Sequence, residues 1–572
     1  MTERLTVISE RVDDIPLLLA HQECMGVQSL LDEHFPTHGN WQGLSLGWVS
    51  VIWLTHILSQ ADHRLNYVQS WAGKRLETLC RCTAQAVRAL DFSDDRLGDV
   101  LRALSDDRQW DAFEGALNQR LLRVYNLGPE WVRLDSTTAN GYWSVTPDGL
   151  FQFGHSKDRR PDLPQVKVML STLDPLGIPL ATEVLPGQRA DDPLYIPAIT
   201  RVRESLGRRG LLYIGDCKMG ALETRAFTHA GGDFYLCPLS ETQLPPEILE
   251  NYLAPIWSEA QDLTDIYRQK ENDEQECIAE GYERLEALTT EIEGKTITWQ
   301  ERRLVVRSLK QARAAEAALR ARLANAHEAL ATLNERRRGK KRFTDGESLR
   351  QAAEAIVERY QVRGLLRLSY EEDVCERPLR RYRERPAAIR VEQEARVTAV
   401  VDERAVKETI RRMGWHVYAT DAPPDWLSMT QAVLGYRSQY IIDRGMGRLK
   451  GQPLSLTPMY LQRDDHATGL IRLLSIGLRV LTLLEFVARR RLAAEGVKLA
   501  GLYAGNAKRA TGRPTAERLL EAFQEITLTV IQGPHQTRHL TPLSELQQRI
   551  LALLGFPLDI YTRLCADSAK PP

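Results

Sequence analysis

The chain has 572 residues, 43% of them hydrophobic and 26% charged, with 75 Lys and Arg against 76 Asp and Glu. That length suggests about three or four domains with real cores, and a net charge of −1 excludes a globally basic, histone-like protein while leaving room for a local basic face. Eight cysteines without a CxxC pair argue against a disulfide scaffold or zinc ribbon and suit a reducing cytoplasm.

The N-terminus carries acids and no long apolar core, so no signal peptide is expected. Leu46–Leu58 is too short to span a bilayer, and Leu470–Val487 is interrupted by Arg472, Arg479 and Glu485. A soluble protein follows. Residues 1–125 read as helical, with apolar residues at three- and four-residue spacing and Ser93 as an N-cap. Trp131–Asp135 alternates like a strand ending in an acid, and a polar stretch with the basic run His155–Arg160 follows. Val166–Leu173 and Ile178–Leu185 are strands joined by the turn Asp174–Gly177. Asp192–Leu206 is a helix, Leu211–Asp216 a short strand ending in an acid, Ala221–Ala230 a helix and Phe234–Leu239 a strand.

Three strands joined by short turns, then crossovers through helices, predict a mixed α/β sheet in the order of an RNase H-like fold. Its last element, a helix with a third acid, is delayed by a long insertion. There, 259–293 reads as a charged helix and Arg302–Arg307 as a strand. An a/d-like register runs through Leu309, Ala312, Glu316, Leu319, Leu323, Ala326, Leu330 and Leu333, and pairing with the 259–293 helix is preferred over dimerisation. Strand-like pieces return at Gly364–Ser369, Ala388–Val391, Val397–Val401 and Trp415–Tyr418. Helices are expected at Leu427–Lys450, Thr468–Arg490 and Thr515–Phe523, and a strand at Thr527–Ile531. The division is therefore 1–125, a helical N-terminal region; 126–244, the first part of the RNase H-like core; 245–425, an α+β insertion lobe; 426–495, the second part of the core; and 496–572, a C-terminal region.

Asp135 and Asp216 each stand where an apolar strand stops, on the first and fourth strands of that order. A turn-capping Asp is the commoner meaning of either alone, but together they can bring two hard carboxylates within reach of Mg²⁺ or Mn²⁺. The segments LDSTTANG around Asp135, YIGDCKMG around Asp216 and YRSQYIIDRGMGRLKG around Asp443 resemble the DDE transposases of bacterial insertion sequences, in the retroviral-integrase superfamily. One branch carries a helix signature Tyr-x2-Arg-x3-Glu-x6-Lys. Tyr436, Gln439, Asp443 and Lys450 keep its spacing, with Gln for Arg and Asp for Glu. On an unbroken helix Tyr436, Asp443 and Lys450 share a face, Gln439 lies one turn before Asp443, and Arg444 and Arg448 flank it. GHSKDRRPDLPQVKVML, RADDPLYIP and LKGQPLSLTPMYLQRDDHATGLIRLL also look like this family, whose insertion-bearing branch has a long segment before the third acid.

The resemblance implies that Asp135, Asp216 and Asp443 are catalytic and converge on two divalent ions, Mg²⁺ or Mn²⁺. It implies DNA contacts from Tyr436, Gln439, Arg444, Arg448, Lys450, Lys157, Arg159 and Arg160. The implied activity is cleavage at inverted-repeat ends and strand transfer into target DNA, by a homo-oligomer on DNA in a bacterial cytoplasm. The helical N-terminal region would bind the ends. Rival functions are an RNase H-like nuclease without strand transfer and a transposase-derived DNA-binding protein with an impaired site, which the Asp443 and Gln439 departures support. The run Arg336–Arg342 suits a solvated loop better than a DNA contact. Trp299 suits a core better than base stacking, and Asp191 and Asp192 suit helix capping better than metal binding. No Walker-type loop is present, so no nucleotide cofactor is expected.

Overall fold

The computed structural model describes residues 6–270, 274–335, 343, 345–379, 388–506, 508–532 and 536–566. The chain divides into two compact units, Met1–Ser240 with Ala287–Gln300 and Thr420–Pro572, and Glu241–Glu286 with Glu301–Ala419. The basic run Arg336–Arg342 lies outside the described residues.

The first unit opens with a strand, β1 (Thr6–Arg11), where the helical pattern of the first 125 residues shows none. It pairs antiparallel with Thr527–Gln532 from the far end of the chain. A ladder with so distant a partner leaves no local periodicity to read. Helices follow, among them Leu46–Gln60, Asp94–Leu104 and Asp107–Tyr125. Ser93 occupies the N-cap position of Asp94–Leu104, but its side chain makes no cap hydrogen bond; Asp106 does cap the next helix, accepting from the Gln109 amide.

A mixed sheet carries the centre of this unit: β2 (Trp131–Asn140), β3 (Gln165–Leu173), β4 (Ile178–Pro186), β5 (Leu212–Ile214) and β6 (Phe234–Pro238), adjacent in the order β4-β3-β2-β5-β6. β3 lies antiparallel to β2 and β4. β5 lies parallel to β2, and β6 parallel to β5, because the helices Tyr195–Leu206 and Leu222–Ala230 make the crossovers that parallel strands require. β2 runs five residues beyond Asp135, so this acid is mid-strand rather than at a strand end. The polar letters STTAN continue the ladder to Asn140 opposite Gln165. The β-branched Thr137 and Thr138 suit the pleat, and buried Thr138 satisfies its hydroxyl by accepting the Lys157 amide.

Leu427–Lys450 is two helices, Met429–Arg437 and Tyr440–Lys450. At the break Ser438 and Gln439 make short i→i−3 bonds to Gly435 and Tyr436, and the Ser438 hydroxyl donates to the Leu434 carbonyl at 3.1 Å, a bond of the kind that bends helices. The helix Asp464–Glu495 is buried along most of its length despite its charges. Arg479, fully buried, donates to Glu114 at 2.7 Å, and Arg472 pairs with Asp107. Among the described residues no helix is long and apolar enough to cross a membrane.

The segment expected to be a charged helix forms strands β7 (Thr264–Gln269) and β8 (Gln275–Ile292), followed by β9 (Lys295–Ser308); residues 287–300 of these strands and their turn belong to the first unit and the rest to the second. β7 pairs antiparallel with β8. Glu293 and Gly294 both have positive φ, 48° and 76°, the backbone of a two-residue hairpin turn whose twist matches its strands. Helix-favouring Glu, Leu and Ala dominate the composition, but Thr289-Thr290 and Thr296-Ile297-Thr298 flank that turn. β10 (Leu366–Leu379) and β11 (Ala388–Val401) form one long antiparallel hairpin, Leu366 opposite Val401. The helix Leu309–Leu333 keeps its a/d stripe. Leu319, Leu323 and Ala326 pack with Val362, Leu365 and Val406, and Leu330 packs with Leu349, Ala353, Ala395 and Val397. Its helical neighbour is thus Gly346–Arg359, not 259–293. β12 (Trp415–Thr420) closes the unit.

Candidate functional site

Side chains alternate along β2, so Trp131, Arg133, Asp135 and Thr137 share one face. Arg133 donates to the Gly435 carbonyl at 2.7 Å, and Lys450 Nζ reaches Thr137 Oγ1 at 3.4 Å. The helices Met429–Arg437 and Tyr440–Lys450 therefore cross this face, with Asp135 between their two contacts. Asp216 follows β5. Arg133 is registered with Ile214 across parallel strands; two residues further on come Asp135, still within β2, and Asp216, just past the end of β5. Burial raises the Asp135 carboxyl above its ordinary value; Lys157 opposes the shift and the Asp216 charge adds to it.

Each acid is held by specific partners. Asp135 accepts from the Ser136 amide at 2.7 Å and from Lys157 Nζ at 3.2 Å. Asp216 Oδ1 accepts from the Tyr195 hydroxyl at 2.6 Å and from the Lys218 amide at 2.9 Å. Tyr195 is buried, and burial, then the Asp216 charge, holds its phenol well above the ordinary range, as a neutral donor. Asp443 is exposed on its helix. Partial desolvation raises its carboxyl, against the pull of Lys157 and Arg133. Lys157 is thus the cation between two of the three acids.

The His155–Arg160 segment is shaped by the Ser156 hydroxyl, which accepts the amides of Asp158 and Arg160 at 3.3 and 3.2 Å and the Asn140 side-chain amide at 3.2 Å. This local fold points Lys157 at Asp135 and sets Asp158 against Lys450, with which it forms an ion pair. Arg159 is exposed with φ +58°, and Arg160 pairs with Asp162 at 2.8 Å.

Of the residues expected at this site, Asp135, Asp216, Lys157 and Lys450 gather around the face of β2. Asp443 lies over it within the field of Lys157. Among the described residues no three His, Cys, Asp or Glu side chains are grouped to hold a metal ion. Tyr436 lies on the helix before the break and Gln439 at the N-cap of the helix after it, so neither shares a continuous helical face with Asp443. Gln439 Oε1 is buried without a hydrogen-bond partner. Arg444 and Arg448 face away. Both bind Glu485 of the Asp464–Glu495 helix, and Arg448 also binds Glu517. Their guanidinium groups fasten helices together instead of flanking Asp443.

Trp299 is buried, stacked on His229 at 5.8 Å and donating to the Tyr235 hydroxyl at 2.8 Å. Asp191 sits at a helix start without a cap bond; it accepts from Ser136 Oγ at 2.9 Å and Lys167 Nζ at 2.6 Å. Sequence reasoning missed Arg133, Thr137, Asp158 and Tyr195. Only Arg133 left a signal, a charge two residues before Asp135 on the same strand face.

No family model and no curated protein matches the chain. Among solved structures, a cryo-EM piggyBac transposase synaptic complex with hairpin DNA is similar at a TM-score of 0.31 and 7% identity, with 89% of this chain and 79% of that one covered. Similarity at that level leaves the functional reading to the site itself.

Proposed function

We propose that the protein is a DDE-type DNA transposase with an RNase H-like core, cutting the ends of an insertion sequence and joining them to target DNA. The supporting observation is the juxtaposition of Asp135 on β2 with Asp216 just past the end of the adjacent parallel strand β5, the Asp216 charge acting on the Asp135 carboxyl, with the Asp443 helix crossing the same face. The motif resemblance around all three acids points the same way. The donor set is all carboxylate oxygen, suited to Mg²⁺ or Mn²⁺, and the Lys157 ammonium against Asp135 marks a position that accepts a cation. Asp135 and Asp216 would hold the ion, with water filling other positions as Mg²⁺ commonly requires; Asp443 is the third candidate ligand. An ion held by Asp135 and Asp216 would supply Lewis acidity, to activate a water or 3′-hydroxyl and to stabilise a departing 3′-oxygen.

The chain's own groups prepare that site. Tyr195 and the Lys218 amide fix one oxygen of Asp216. Lys157 balances the paired acids, and on release from Asp135 its ammonium offers a phosphate contact. Lys450, held by Asp158 beside Thr137, offers a second. The protein would act as a homo-oligomer on DNA.

The test is incubation with Mg²⁺ or Mn²⁺ and candidate end DNA at fixed salt, because binding depends on salt, with nicks and joined products both measured. Asp135→Ala or Asp216→Ala should abolish cleavage while leaving end binding largely intact, since removing an acid removes repulsion of phosphate. Asp443→Glu should preserve or raise activity, because the extra methylene lengthens its reach. A fully active Asp216→Ala variant would exclude the assignment. Nicks without joined products would mark a nuclease that lacks strand transfer. The break that removes Tyr436 from the Asp443 helix favours a second reading, a transposase-derived DNA-binding protein with an impaired site; end binding without nicks in either metal would select it.

A further inference from the structure

Beside Lys450 and Asp158 lies a cavity of about 560 Å³, with Tyr142, Arg160 and Tyr460 also in its lining. Two of its rings stand out in solvent: Tyr142 is 82% exposed and Tyr460 62%. Arg160, paired with Asp162 at 2.8 Å, lines the same cavity as Tyr142. Rings and cations thus line one cavity together, and its Lys450 reaches Thr137, two residues from Asp135 on the same strand face.

This combination has a chemical meaning. Cations follow phosphates whatever the base sequence, and an exposed ring offers a face on which any nucleobase stacks. In a duplex the base faces are already covered by their neighbours, so the rings suit an unpaired strand. We propose that this surface binds an unpaired stretch of DNA, with bases stacked on Tyr142 and Tyr460 and phosphates held by Arg160 and Lys450. The proposal rests on the reading of Asp135 and Asp216 as a site acting on DNA, and it places the strand leading to that site.

The experiment uses the full chain in chelator at fixed salt, where no metal-dependent cleavage intervenes. Anisotropy is measured with fluorescein-labelled oligothymidylate, an abasic oligomer of equal length and a duplex. Oligothymidylate should bind more tightly than the abasic strand. Tyr142→Ala and Tyr460→Ala should each weaken its binding by about fivefold or more with the salt slope unchanged, because the phosphate contacts remain. Tyr142→Phe and Tyr460→Phe, which keep the ring, should bind as the wild type does, and Arg160→Gln should lower the salt slope. Both tyrosines are exposed, and unchanged thermal melting verifies that the variants fold. Equal affinity for abasic and base-bearing strands, wild-type binding by both alanine variants, or binding of duplex alone would overturn the proposal. Intact single-strand binding without metal-dependent nicking would count against the nuclease chemistry only.

Discussion

Asp135 is one of several half-buried carboxyls whose neighbours act on their charge, and Glu183 on β4 is the sharpest case. Burial pushes its carboxyl up to about 7, with Arg201 opposing and Glu114 and Asp111 adding to the shift. Below about pH 4.5 the group is protonated in both folded and unfolded chains and costs nothing. As pH rises through the interval up to about 7, the unfolded chain ionises first, so stability falls; above it the full cost is present. Glu183→Gln should therefore stabilise the protein by about 2–3 kcal/mol at about pH 8 and by little at about pH 4.5. Urea unfolding at the two pH values measures the difference, and an equal shift in midpoint at both would disprove it. Arg133 belongs to the same scale. It is fully buried, bound to Asp174 at 2.5 Å and to the Gly435 carbonyl, and it joins β2 to the helix preceding Asp443. The residue was visible in the sequence, but its partners lie 41 and 302 positions away.

At the scale of elements, Glu485 fastens the Asp443 helix to the buried helix Asp464–Glu495. Arg444, Arg448 and Arg489 all converge on its carboxylate, which is 5% exposed. Replacing it by Ala leaves three guanidinium groups without their shared anion, and breaking such a buried pair costs about 3–5 kcal/mol. Glu485→Ala should lower the urea midpoint accordingly and loosen Tyr440–Lys450, seen as faster amide exchange there; unchanged exchange would show that the ion cluster does not hold this helix. The hairpin of β8 and β9 shows the opposite relation between sequence and element. Its strands contain good helix formers, and the outcome turned on Glu293-Gly294 and the β-branched residues beside it, a weaker local signal than Asn-Gly. Tertiary pairing overrode propensity.

For the whole molecule, the two ends of the chain are joined inside the first unit. β1 pairs with Thr527–Gln532, the Val12 amide donates to the Ile526 carbonyl at 2.8 Å, and the Glu525 amide donates to Asp13 at 2.8 Å. Deleting residues 1–11 should speed amide exchange at Thr527–Gln532 while Val132–Asn140 on β2 keep their protection, because the edge ladder opens independently of the central sheet. Equal protection in the deleted and intact chains would mean that β1 adds nothing to the C-terminal strand.

Local periodicity by itself determined a good deal of this protein. The helices of the N-terminal region, β3 and β4 with the turn between them, the helices of the two crossovers and the a/d stripe of Leu309–Leu333 all carry their signal within a dozen or so neighbouring residues. Tertiary structure decided what depends on distant partners. It extended β2 through STTAN because β3 supplies a ladder for it, and it turned 275–308 into a hairpin. It broke the helix before Tyr440, where the Ser438 hydroxyl takes the Leu434 carbonyl. It also gave Arg444 and Arg448 to Glu485 and Lys157 to Asp135. A charged side chain shows in the sequence that it needs a partner, but only packing sets which opposite charge lies close enough to bind it.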